Sequence, residues 1–115
     1  MKKLLITAML LPSIAVAGVN QPVSDEQHEK NCMGLMAMAQ AVMTVRQNGL
    51  PLAEALINAE KLVKDNKASK EENFILKGML RDAYDEARYS TKAYQQEQIN
   101  EFSAKYYLAC MEMYE

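Results

Sequence analysis

The sequence has no tryptophan and only one histidine, two cysteines and three prolines in 115 residues, and each scarcity excludes something. With His28 as the lone imidazole and no serine nucleophile constellation, the chain offers no basis for acid–base or acyl-transfer catalysis. A zinc site needs four good ligands, and none of the required Cys and His spacings occurs. The two cysteines are far apart, not set as the Cys-x-x-Cys of a redox pair. No run alternates apolar and polar residues as a half-buried strand does. There is no internal repeat, no low-complexity tract and no basic stripe, so neither nucleic acid nor anionic lipid is an expected partner. What remains is an all-α chain without recognisable reaction chemistry, and no cofactor is expected.

The most informative feature present is the first 17 residues. Lys2 and Lys3 form a positive start, Leu4 to Ile14 an apolar middle, and Ala15-Val16-Ala17 a small-residue cleavage site, the pattern of a secretory signal peptide. The apolar run is short and interrupted by Pro12, so it does not read as a membrane-spanning helix. Cleavage is expected before Gly18, followed by export as a soluble periplasmic protein with no membrane insertion. Cys32 lies too far beyond the site to receive a lipid. Loss of Lys2 and Lys3 leaves 11 basic against 15 acidic side chains, a net charge near −4. Residues 18–23 read as a flexible leader and 24–115 as a single helical domain.

Export gives Cys32 and Cys110 a meaning. Small secreted domains have thin cores and often rely on disulfides, and two cysteines allow one intramolecular pairing. It would close a loop of nearly 80 residues, worth roughly 4–5 kcal/mol against the unfolded chain in the chain-entropy account. An intermolecular disulfide is the alternative pairing.

Helical spacing organises the rest. Ser24-Asp25-Glu26-Gln27 has the form of a capping box. Cys32, Leu35, Met36, Ala39, Val42 and Met43 follow as an apolar stripe, and Arg46-Gln47-Asn48-Gly49 closes a first helix of about residues 25–48. Pro51 suits a first helical position, and a second stripe from Leu52 to Val63 carries a helix to about Asp65. Asn66 to Ala68 is a turn. Ser69-Lys70-Glu71-Glu72 is a second capping box, opening a helix with Met79, Leu80, Ala83 and Ala87 on its stripe. Tyr89 to Ala93 weakens the pattern without a Gly or Pro, and both a turn and a kink are compatible with it. Ile99, Phe102, Tyr106, Ala109, Cys110 and Met113 form the last stripe. The expected fold is therefore a small antiparallel bundle of three to four helices. An up-down-up-down order brings Cys32 and Cys110 to the same end.

Four groups of side chains are candidate sites. Met33, Met36, Met38, Met43, Met111 and Met113 are expected near the disulfide end, with His28 close by. Thioethers favour Cu(I), but they also fill irregular core gaps and build adaptable surfaces, and core packing is the expected role. Arg46 continues the first stripe, and a half-buried Arg needs a partner; Asp82, Asp85 and Glu86 are the carboxylates expected at its end of the bundle, and a structural ion pair with Asp85 is expected. Tyr84, Tyr89, Tyr94 and Tyr107 cannot all be buried, and exposed tyrosines suit protein interfaces, so they form the expected partner surface. The charge runs are mixed in sign and read as solvated helix faces.

Cys32, the helix ending in Arg46-Gln47-Asn48-Gly49, and the distant Cys110 together resemble a loose group of small exported helical proteins of Gram-negative bacteria and their phages. That group shares a Cys, a helix ending Arg-Gln-x-Gly and a C-terminal Cys. The resemblance implies an all-α fold, a Cys32–Cys110 disulfide and a periplasmic home, and no established activity. Leu50-Pro51 departs from it, standing where a Ser-type cap is expected. The function expected from all of this is non-enzymatic binding of another envelope protein, as inhibitor, adaptor or phage-type exclusion factor. The alternatives are a small-ligand or Cu(I) carrier using the methionine-rich end, and a periplasmic stress chaperone.

Overall fold

The structure, a computed structural model, describes residues 24–114. The expected signal peptide and leader lie outside the described residues. Four helices follow in order: α1, Asp25–Gln47; α2, Leu52–Lys64; α3, Lys70–Tyr84; and α4, Lys92–Glu112. There is no strand among the described residues.

Local chemistry accounts for most of the helix ends. Ser69 and Glu72 form a complete capping box at α3: the Ser69 hydroxyl accepts from Glu72 N at 3.0 Å, and Glu72 Oε1 accepts from Ser69 N at 2.8 Å. Only half of the box expected at Ser24 forms. Its hydroxyl accepts from Gln27 N, but the Gln27 amide donates onward to Asn31 Oδ1 instead of reaching back. Pro51 is the N-cap of α2, one position before the first helical residue where it was expected. Its carbonyl accepts from Glu54 N and Ala55 N, which its extended backbone allows. The turn after α2 passes through Asn66 in the left-handed region, at φ 58°, a conformation that asparagine tolerates better than most residues.

The core draws on every helix. Ala39, Val42 and Met43 of α1 meet Ala55 and Ala59 of α2, Met79, Leu80 and Ala83 of α3, and Ile99 and Phe102 of α4. Packing is dominated by the α1–α4 pair, with α2 and α3 as a hairpin whose α3 lies on α1. The hairpin is tied by the Lys77–Glu60 ion pair and by Asn73 Nδ2 donating to Glu60 Oε1 at 3.3 Å.

The disulfide staples the α1–α4 pair at one end, with the Cα atoms of Cys32 and Cys110 5.5 Å apart. Helices α1 and α4 have 23 and 21 residues, and α2 and α3 have 13 and 15. At 1.5 Å per residue α1 is longer than the hairpin helices by roughly 12–15 Å. Beside the disulfide, α1 and α4 are joined by the stacked rings of His28 and Tyr114, centroids 3.7 Å apart, and by the Tyr107 hydroxyl donating to Glu29 Oε2 at 3.2 Å.

The weak segment Tyr89–Ala93 resolves as a turn. Helix α3 stops at Tyr84, and Thr91 caps α4, accepting from Tyr94 N. Ala87, expected on the α3 stripe, therefore lies in the connection between α3 and α4.

Candidate functional site

The α3–α4 connection, residues 85–91, has no glycine or proline to end α3. Its shape is imposed from outside, by the last turn of α1. Met43 and Gln47 are four residues apart and share the buried face of α1; Gln47 is 1% exposed. Its Nε2 donates to Ala87 O at 2.8 Å and to Met43 Sδ at 3.4 Å. Its Oε1 accepts from Tyr89 N at 2.8 Å. These partners use both amide hydrogens and the carbonyl oxygen, so the cost of burying a polar group is met in full. They also fix which way the amide points, since reversing it would set donor against donor. The Gln47 side chain thus acts as a peptide group pairing with the backbone at 87–89.

The neighbours of Gln47 complete the clasp. Arg46 donates to Glu86 O from Nε at 3.2 Å and from Nη2 at 2.9 Å, and its guanidinium lies 5.1 Å from the centroid of the Tyr84 ring. The ion pair expected between Arg46 and Asp85 does not form. The two ion pairs among the described residues are Lys77–Glu60 and Lys105–Asp82. A free carbonyl at the end of α3 needs a donor, and Arg46 supplies it one residue beyond Asp85. Arg88 reaches the other way, its Nε donating to Gln47 O at 3.0 Å. Gly49 has φ 89°, and a Cβ there would stand 2.8 Å from Arg88 Nη2. The left-handed backbone requires glycine there, and the missing side chain leaves room for the Arg88 guanidinium.

The clasp presents an aromatic pair. The N–H of Tyr89 is taken by Gln47, and its C=O accepts from Gln95 Nε2 at 2.7 Å. Its backbone is held on both sides while the residue as a whole is 38% exposed, beside the 60% exposed Tyr94. The two ring centroids are 6.0 Å apart and tilted by 44°, a favourable aromatic geometry. Tyr89, Tyr94, Glu97, Gln98 and Glu101 line a cleft of about 260 Å³.

The four tyrosines expected to share one surface are divided. Tyr84 is half-buried under Arg46, its hydroxyl donating to Leu50 O; burial, against the opposing charge of Arg46, pushes its phenol above the ordinary value. Tyr107 belongs to the disulfide end, bonded to Glu29. It is 13 positions along α4 from Tyr94, roughly 20 Å in a helix. Tyr89 and Tyr94 are the pair that stands together. Tyr106 donates to Asp82 Oδ2 at 2.9 Å, and burial, followed by the hydrogen bond to Asp82 and its charge, pushes its phenol up to about 12.

The methionines are divided as well. Met43 and Met79 are in the core, Met33 and Met113 are half or more exposed, and Met38 lines a separate groove. Met43 is 11 residues past Cys32, roughly 16 Å along α1, and so belongs to the clasp end and not to the disulfide end. The groove, about 250 Å³, lies between α1, α2 and α3, with Val42, Val45, Ala59, Leu62 and Leu76 among its apolar walls.

Gln47 is the residue that sequence reasoning missed. A polar residue four positions after Met43 on a continuing stripe was the available signal, and its place in a helix-ending motif concealed it. Comparison of the chain with protein-family models, with curated proteins and with solved structures finds no match.

Proposed function

We propose that the mature chain is an exported, non-enzymatic protein-binding module whose contact face is the Tyr89–Tyr94 pair. One observation carries this reading: the Tyr89 backbone is held by Gln47 on one side and Gln95 on the other, while its ring stays exposed beside Tyr94. Aromatic side chains bury much area at low entropy cost, and a backbone fixed in advance lowers the ordering cost of binding. The Cys32–Cys110 disulfide supports an oxidising compartment, in keeping with a periplasmic home reached through the signal sequence. The partner is another envelope protein.

The test is site-specific photo-crosslinking in the native periplasm. A photoreactive residue replacing Tyr94 is expected to give one discrete adduct, which disappears when Tyr89 is changed to alanine. The same probe at Phe74 of α3, 75% exposed, is the control and is expected to give none. No adduct from position 94, or an adduct from position 74 alone, rejects the assignment of this face.

A further inference from the structure

Resting on the partner reading above, we infer that the cleft beside the tyrosine pair receives an arginine side chain of that partner. One wall is aromatic, Tyr89 and Tyr94; the other is the exposed face of α4, where Tyr94, Glu97 and Glu101 fall at i, i+3 and i+7 and so lie along one side of the helix. Gln98 completes the lining and is itself engaged, donating to Glu86 Oε1 at 3.4 Å.

The charge in the cleft is unbalanced. Glu97 and Glu101 are like charges four residues apart, an unfavourable spacing on a helix, and neither is in an ion pair among the described residues. On the same helix, Lys105, four residues past Glu101, is committed to Asp82 at 3.3 Å and lies over the Phe102 and Tyr106 rings, and Lys92, five residues before Glu97, is paired with neither carboxylate. Arg88, in the same connection as Tyr89, is committed to Gln47 O. A cation arriving from outside would relieve the carboxylate repulsion and gain the tyrosine faces together.

Guanidinium fits this combination better than ammonium. It is planar, stacks on aromatic rings, is weakly hydrated, and bonds a carboxylate through two parallel N–H groups. The cleft volume of about 260 Å³ suits the head of one side chain and not a folded segment. The chain's own Arg46 against Tyr84, 5.1 Å from the ring centroid, is the same kind of contact made internally.

The probe is the peptide acetyl-Gly-Arg-Gly-amide, titrated into the disulfide-intact mature protein while backbone amide shifts are followed. Its counterpart with citrulline, which keeps the shape and removes the charge, is the control. Shifts are expected at Tyr89, Tyr94, Glu97 and Glu101, with the citrulline peptide and the Glu97→Gln/Glu101→Gln variant each at least tenfold weaker. Both carboxylates are exposed, so that variant folds as the parent does. Equal binding of the citrulline peptide, shifts spread over the whole acidic surface, or an unchanged affinity in the double variant overturns the arginine site. The two readings fail separately. A crosslink from position 94 without arginine-peptide binding removes the cation site and leaves the partner face. Arginine-peptide binding without a crosslink leaves a cation site and removes the protein partner.

Discussion

Gln47 shows how much one buried amide can organise. It is nearly inaccessible, yet it makes no apolar contribution that an aliphatic residue would not make better; its value lies in satisfying Ala87 O and Tyr89 N at once. Gln47→Ala removes both bonds, whose partners lie on exposed residues that water can reach, so each is worth about 0.5–1.5 kcal/mol net. The variant is expected to lose about 1–3 kcal/mol of stability. Amide exchange is expected to accelerate at Tyr89 well before it does in α2; uniform acceleration would contradict a local clasp. This residue was not legible in the sequence. The stripe position of Arg46 reads as half-buried and in need of a partner, and a charge there suggests a countercharge such as Asp85. The structure gives it a carbonyl and an aromatic face instead, and neither is written as a charge in a sequence.

At the scale of elements, α1, α2 and the start of α3 were legible to within a residue or two, because their ends are local. Ser24, Asn66, Gly49 and the Ser69–Glu72 box act on backbone groups within a few positions of themselves. The end of α3 was not legible, because Arg46 and Gln47, some 40 positions earlier, take the carbonyls of Glu86 and Ala87. Only Thr91 marked the restart. The α3–α4 contact that follows this connection carries a pH dependence. Tyr106, bonded to Asp82, titrates near 12 in the folded chain against an ordinary value of 10. Above pH 10 the unfolded chain gives up this proton first, so stability is level below pH 10 and falls as pH rises toward 12. Tyr106→Phe is expected to flatten that fall in denaturant titrations. Some slope persists, since Tyr84 and Tyr107 are also raised. An unchanged slope in the variant would place the alkaline transition elsewhere.

The whole molecule divides its labour between two ends. At one, the disulfide, the His28–Tyr114 stack and the Tyr107–Glu29 bond hold α1 to α4. At the other, the last turn of α1 shapes the connection that presents Tyr89. The pairing of the cysteines was legible, since two cysteines allow one intramolecular pairing. The grouping of tyrosines was not, because it depends on where α4 begins. Replacing both cysteines by serine is expected to cost about 4–5 kcal/mol by the chain-entropy account. Exchange is expected to open first at residues 25–35 and last in the core around Met43, Met79 and Phe102. Preferential loosening of the clasp end would contradict this division.

Under the proposed function, the last turn of α1 prearranges an aromatic face for a partner. The decisive experiment compares the yield of the position-94 photo-crosslink, in the proposed periplasmic setting, between the parent sequence and Gln47→Ala with the disulfide intact. A single adduct is expected in the parent and a yield reduced at least several-fold in Gln47→Ala, although Tyr89 and the probe at position 94 are present in both. An equal yield in the two proteins would contradict this prearrangement, because the face would then owe nothing to the clasp.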